Sequence, residues 1–430
     1  MSGDPEPSRN KLRSYFTLSP ARTPIRKTVM NKPVAQKSFW LTLLAGLMLA
    51  GCCTCPPPSV KVEPAPVPVP LPKPVVGKPT PDFLPSKWDA LPDWTTQDFA
   101  ASWPALQQSC RALKLKPVWL PICAAAEKVS NDDASARRVF YETWFTPYQI
   151  FNPDGTDSGM ITGYYEPLLK GSRTRSKRFP FPIFAPPDDM LEVDMGDLYP
   201  QFRGQRVRGR LQGKRVVPYF NRAEIDAGIA PAIRGRELYW VGNEIELFFL
   251  QIQGSGRIEL EDGKRVKIGY AEQNGHPYAS IGKKLIDMGE LKLEDASMQG
   301  IKNWAEKNPE RLAVLLGHNP SYVFFRELPD TLSGPLGALG VPLTNEYSIA
   351  VDPRSIPLGV PVFLATTKPN KPEVLNRLVF AQDTGGAIKG AVRADFFWGF
   401  GELAGIKAGS MKQSGRLWVL FPKGGEPTLN

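Results

Sequence analysis

Residues 379–401 read VFAQDTGGAIKGAVRADFFWGFG and hold two aspartates, Asp383 and Asp395, among glycines and aromatic residues. Asp383 closes the apolar run RLVFAQ and precedes Thr384-Gly385-Gly386, where glycines let a backbone turn tightly and come close to a ligand. Asp395 is followed directly by Phe396, Phe397 and Trp398. A carboxyl that protonates a glycosidic oxygen near neutral pH must first keep its proton. Burial among rings favours this, at about 1.4 kcal/mol per pKa unit. Rings folded over Asp395 would supply that setting, whereas Arg393, two residues earlier on the same face of a strand, would favour the ionised form. The stretch alone leaves two readings open, acid–base chemistry or turns between strands. Asp383-Thr384-Gly385 also fits half of an aspartic-protease dyad. Its one candidate partner, Asp157-Ser158-Gly159, lies in the polar run NPDGTDSG and follows no apolar strand, which argues against that chemistry.

Outward from this stretch, the C-terminal hundred residues carry the short runs VFFRE, SIAVD, VPVFLAT, RLVFAQD and GRLWVLF, all read as strands. On the N-terminal side, TTQDFAASWPALQQSCRAL and NDDASARRVFYETWF open with capping residues and space their apolar side chains as helices do. SGMITGYYEPLLKGS reads as a strand, and residues 237–270 as a strand followed by a hairpin turning at Asp262-Gly263. YASIGKKLIDMGEL and SMQGIKNWAEKNPERLAVLLG read as two helices. The basic segment between, with RTRSKR and RGQRVRGRLQGKR, reads as a solvated surface rather than a dedicated polyanion site. The pattern predicts an α+β fold, mainly β, with N-terminal helices and a β-barrel.

The N-terminus carries a different message. Residues 38–51, SFWLTLLAGLMLAG, are uncharged, apolar and too short for a span of about 20 residues. Basic residues precede them and Cys52 follows Leu49-Ala50-Gly51, the layout of a secretory signal ending in a lipoprotein cleavage box. Cys52 would then become the lipidated N-terminus, and Cys53 after it favours outer-membrane sorting. Met30 would be the true start of a signal of ordinary length. Residues 1–51 hold eight lysines or arginines and two acids, so the net charge of +10 falls to +4 for the remainder, and no nucleic-acid partner is expected. Eleven prolines between Pro56 and Pro81 favour an extended tether reaching roughly 80 Å. Cys110 and Cys123 are free to pair in an oxidising compartment, and closing so short a loop contributes about 3 kcal/mol. With only His276 and His318 and no Cys/His cluster, neither a metal site nor a cofactor is expected.

Seven strings, ITGYYEP, LQIQGSGRIEL, YAEQNGHPYASIGKKLIDMGEL, SMQGIKNW, NPSYVFF, SIAVDPRSIPLG and AQDTGGAIKG with ADFFWG, resemble in order the motifs of the membrane-bound lytic murein transglycosylase A family. The resemblance covers about residues 163–419 and implies a double-psi β-barrel (83–168 plus 321–425) interrupted by a second β-rich domain (169–320), with a glycan groove between them. It places the catalytic acid at Asp395, with Asp383 and Asp352 supporting it or the substrate. It also lines the groove with Thr162, Tyr164 and Tyr165 on one wall and Gln253, Gly254, Ser255 and Gly256 on the other. The implied reaction cuts the β-1,4 bond between N-acetylmuramic acid and N-acetylglucosamine and leaves a 1,6-anhydro end. The alternatives are a hydrolytic muramidase, with Asp383 as base or nucleophile, and a lipoprotein that binds peptidoglycan without cutting it. The implied partners are glycan strands, the periplasmic face of the outer membrane through the lipid, and proteins of cell-wall synthesis or division.

Overall fold

The computed structural model describes residues 82–425 and 427, apart from 131–132, 200–201 and 203–206. The leader, Cys52 and nearly all of the proline tether lie outside them. Strand β1 (Asp82–Pro85) precedes helices α1 (Phe99–Leu113), α2 (Trp119–Ala126) and α3 (Ala134–Trp144), which lead into β2 (Phe145–Phe151) and β3 (Gly159–Glu166). Asp98 and Asp133 cap α1 and α3 by accepting backbone N–H bonds, as their positions in the sequence predict. A disulfide joins Cys110 of α1 to Cys123 of α2.

The chain then leaves for an insert and returns as β13 (Ser348–Val351), β14 (Pro361–Thr367), β15 (Val374–Thr384), β16 (Ala394–Phe400), α9 (Glu402–Ser410) and β17 (Lys412–Pro422). Strands pair in the order β17, β14, β15, β13, β16, β3, and β3 bonds back to β17, closing a six-stranded double-psi barrel. Two of its pairs are parallel, β13 with β15 and β16 with β3. Closure works because β17 is long: Lys412–Gly415 pair with β3, and Arg416–Val419 with β14. Ile161, Ile349, Val351, Phe380, Ala394, Phe396 and Val419 fill the interior, continuous with the aromatic contacts of α1 and α3.

The insert supplies β4 (Leu168–Ser172), β5 (Phe181–Phe184), β6 (Leu191–Val193), β7 (Val207–Gln212), β8 (Arg215–Pro218), α4 (Arg222–Asp226), β9 (Glu237–Val241), α5 (Glu244–Gln253), β10 (Ser255–Glu259), β11 (Arg265–Gln273), α6 (Ile281–Asp287), α7 (Met298–Lys307), α8 (Pro309–Gly317) and β12 (Val323–Leu328). Its main sheet runs β12, β11, β10, β4, β9, β5, beside a small β6, β7, β8 sheet. Four local readings of the sequence change. SGMITGYYEPLLKGS is two strands in two sheets, parted at Pro167, which cannot donate to a ladder. EIELFFLQIQ is a helix: Asn243 accepts from the N–H groups of Ile245 and Glu246, and Gly254 ends it at φ +74°. SMQGIKNWAEKNPERLAVLLG is two helices, divided at Asn308-Pro309. VFFRE, grouped by sequence with the barrel strands, is β12 and pairs with β11 in the insert sheet.

Candidate active site

Strand pairing sets the candidate residues in one transverse row. Asp383 of β15 stands opposite Ala350 of β13, Ala350 opposite Asp395 of β16, Asp395 opposite Thr162 of β3, and Thr162 opposite Lys412 of β17. Adjacent strands lie about 4.8 Å apart, so the two aspartates are separated by about 10 Å of backbone with one small side chain between them. Side chains alternate along a strand, so this row faces away from the barrel interior that Ile161, Ile349, Ala394 and Phe396 fill. Outside, Tyr164, Leu343, Ala350, Ile388 and Phe397 form a separate small apolar cluster around it.

Asp395 Oδ1 accepts the Thr162 hydroxyl at 2.6 Å, and Thr162 Oγ1 in turn accepts from an Arg393 guanidinium nitrogen at 2.9 Å. Arg393 also bonds the Met160 carbonyl at 3.1 Å, so it is held over the strand ends rather than against the acid. Among the described residues no protein donor reaches the other Asp395 oxygen. Burial raises the Asp395 carboxyl above its ordinary value, opposed by the Thr162 hydrogen bond and the Arg393 charge. Asp383 is more fully engaged: Oδ1 accepts the N–H groups of Ala338 and Thr384, both at 2.9 Å, and Oδ2 accepts the Tyr164 hydroxyl at 3.0 Å. Burial still pushes it up to about 6, and the neighbouring Asp395 adds to the rise. Burial, and then the charges of Asp383 and Asp395, keep the Tyr164 phenol well above its ordinary value, so Tyr164 acts as a donor.

The other residues singled out by sequence fall elsewhere. Of the rings after Asp395, only Phe397 shares its face; Phe396 and Trp398 belong to the barrel core because alternation turns them inward. Tyr165 also points away from Tyr164: its ring packs over Gly405 of α9, while its backbone N–H donates to the Gln253 side chain at 2.9 Å. Gln253 thus ties the end of α5 to β3. Gly254 is the left-handed cap of that helix, Ser255 is buried, and Gly256 lies against Leu250 and Pro167. Asp352 is 1% exposed. Its oxygens accept from the Arg354 guanidinium at 3.0 and 2.7 Å and from the Gly390 N–H at 3.0 Å. Burial works against its charge, but these bonds outweigh it and hold the carboxyl below its ordinary value. Asp352 therefore braces a turn. Asp157 accepts from Gln149 on the β2–β3 connection, so the structure pairs it with that amide and pairs Asp383 with Tyr164.

Two positioning groups escaped the sequence reading. Gln382, fully buried beside Asp383, donates to the Ala105 carbonyl at 2.7 Å and the Ser109 hydroxyl at 3.0 Å, and accepts from Ser348 at 2.6 Å. A glutamine inside the apolar run RLVFAQ was the available signal. Glu166, at the end of β3, is 1% exposed and binds Arg257 of β10 at 2.8 Å, and that guanidinium covers the Phe400 ring at 3.7 Å.

Comparison with known proteins agrees with this architecture. A family model described as the MltA specific insert domain matches residues 160–326, and a 3D domain model matches residues 347–421. The membrane-bound lytic murein transglycosylase A of Escherichia coli (strain K12) is 36% identical over 302 residues, 68% of this chain and 73% of its own length. MltA from Neisseria gonorrhoeae, in its monoclinic crystal form, is 42% identical with a TM-score of 0.71, covering 82% of this chain and 97% of that one. E. coli MltA with bound chitohexaose is 29% identical with a TM-score of 0.58, over 76% of this chain and 90% of that one. The chain belongs to the membrane-bound lytic murein transglycosylase A family.

Proposed function

We propose that this protein is a lytic transglycosylase that cleaves the β-1,4 bond between N-acetylmuramic acid and N-acetylglucosamine of peptidoglycan and leaves 1,6-anhydromuramoyl ends. The observation that carries this reading is a carboxyl raised by burial, fixed through one oxygen on Thr162 and open at the other. Asp395 donates its proton from the open oxygen to the glycosidic oxygen as the bond to C1 breaks. As a carboxylate it then accepts the proton of the muramic C6 hydroxyl while O6 bonds to C1. The proton returns to Asp395 and no water is consumed. Because the nucleophile is part of the bound sugar, effective concentration replaces a second carboxylate that would activate water. Thr162 orients the acid, and Tyr164 with Asp383 forms the adjoining wall. A relative of this chain with bound chitohexaose supports a glycan strand as the ligand.

A hydrolytic muramidase is the second reading, favoured by one observation: Asp383, pushed up to about 6, stands two strands from Asp395, with β13 between them. Against it, both Asp383 oxygens are already engaged by protein donors. For location, we propose a lipid on Cys52 and tethering to the periplasmic face of the outer membrane. Among the described residues no helix is long and apolar enough to cross a membrane. The test is digestion of purified peptidoglycan by the protein, Asp395→Asn and Asp383→Asn, with muropeptide masses as the readout. Anhydro products from the wild type, and a loss of about 10³-fold or more in Asp395→Asn, are expected. Reducing-end products would make it a hydrolase, and an active Asp395→Asn would move the acid elsewhere.

A further inference from the structure

A cleft of about 520 Å³ lies beside the row of site residues, lined by Phe249 and Ile252 of α5, Tyr278, Ile286 of α6, Leu293 and, from the barrel, Lys412. Its apolar side chains meet solvent: Ile252 is 41% exposed, Tyr278 40% and Leu293 69%. Lys412 stands opposite Thr162, which makes it the next member of the row after Thr162, about 10 Å from Asp395 across two strands. Lys283, the other cation of this cleft, is bonded to Asp287 at 3.1 Å. Among the described residues no carboxylate pairs with Lys412.

An unpaired ammonium at the edge of an apolar cleft suits a ligand that is partly apolar and carries a carboxylate. A bare chain of N-acetylhexosamines offers no carboxylate. The peptide stem of peptidoglycan offers both, since it leaves C3 of the muramic ring whose C1 reacts and carries alanine methyl groups and free carboxylates. We propose that Lys412 and the cleft walled by α5 and α6 bind the peptide stem of the muramic unit whose C1 lies at Asp395. Lys412 takes a stem carboxylate, and Ile252, Ile286 and Leu293 take its methyl groups. This rests on the transglycosylase reading for the placement of the ring, and it makes the cleft a specificity determinant for peptide-bearing glycan.

The test measures Kd of the full chain for three ligands: stem-bearing glycan, the same glycan stripped of peptide by an amidase, and chitohexaose. Lys412→Met removes the charge and keeps the length, and Leu293→Asp places a repelling charge at an exposed position. Both are expected to raise Kd for stem-bearing glycan by about tenfold and to leave Kd for chitohexaose within about twofold. An unchanged Kd for stem-bearing glycan overturns the proposal. So does an equal loss on stripped glycan, which would point to the free lactyl carboxylate, or a loss on chitohexaose, which would assign Lys412 to the sugar chain. A wild type that binds all three but makes no anhydro ends sinks the transglycosylase reading alone, since the Kd differences still decide the fate of the stem cleft.

Discussion

Thr162 is the smallest group on which the proposed chemistry turns. Its hydroxyl favours the ionised form of Asp395 and fixes the plane of the carboxyl. In Thr162→Val the carboxyl loses that bond while Arg393 keeps its bond to the Met160 carbonyl. The pKa of Asp395 then rises further, so the proton is kept to higher pH. The expected outcome is a fall in kcat of about 10- to 100-fold, with the alkaline limb of the pH–rate profile moved upward. A fall without that shift would mean that Thr162 only shapes the strand. At this scale the sequence was informative about identity and poor about direction. Asp383, Asp395, Thr162 and Tyr164 lie in strings long enough to recognise, and they do come together. The sequence left open whether the rings after Asp395 fold over it, and strand alternation answers for each ring in turn: Phe397 shares its face, while Phe396 and Trp398 turn into the core. Asp352 was named through the family resemblance alone, and its contacts with Arg354 and with Gly390, 38 residues away, are visible only in the fold.

Among the elements, β3 shows how close packing constrains one residue. A Cβ on Gly163 would lie 2.7 Å from the Trp398 indole nitrogen and 2.9 Å from the Ala408 backbone. Trp398 is buried and Ala408 belongs to α9, so neither yields easily. Gly163→Ala is therefore expected to cost about 1–3 kcal/mol, read as a lower midpoint in denaturant unfolding. An unchanged midpoint would mean that α9 moves freely against β3. The barrel strands were legible because each is a short apolar run bounded by turn residues. Helix α5 was not, since EIELFFLQIQ is apolar on most sides and periodicity cannot separate a buried strand from a buried helix over ten residues. Its ends held the answer: Asn243 before two early glutamates, and Gly254 after the last turn.

For the whole molecule, Glu166 of the barrel strand β3 and Arg257 of the insert strand β10 form an ion pair across the junction, with the Glu166 side chain 2% exposed. Glu166 Oε1 has no partner among the described residues, so its charge depends on the Arg257 contacts to Oε2. Arg257→Met leaves that charge buried and unpaired, at a cost on the order of 3 kcal/mol. A drop in Tm of about 5–10 °C is expected, and Glu166→Gln in the same chain should recover part of it. No recovery would mean that Arg257 acts through its packing on Phe400. The point at which the chain returns to the barrel was not legible in the sequence. Strand β12 has the composition of a barrel strand, and only its partner, β11, shows that the excursion ends after it.

The order of the chain around the barrel also has a temporal side. Thr162 and Asp395, bonded in the finished molecule, are 233 residues apart. During synthesis from the N-terminus, β3 emerges long before β16 and β17, and the intervening sheet has all its strands in hand first. The barrel closes last, when its final strand reaches back to the third. A chain released early, before Ala394, has neither the proposed acid Asp395 nor the closing strand. An enzyme that cuts the wall its own cell depends on is thereby unarmed until its last segment has arrived.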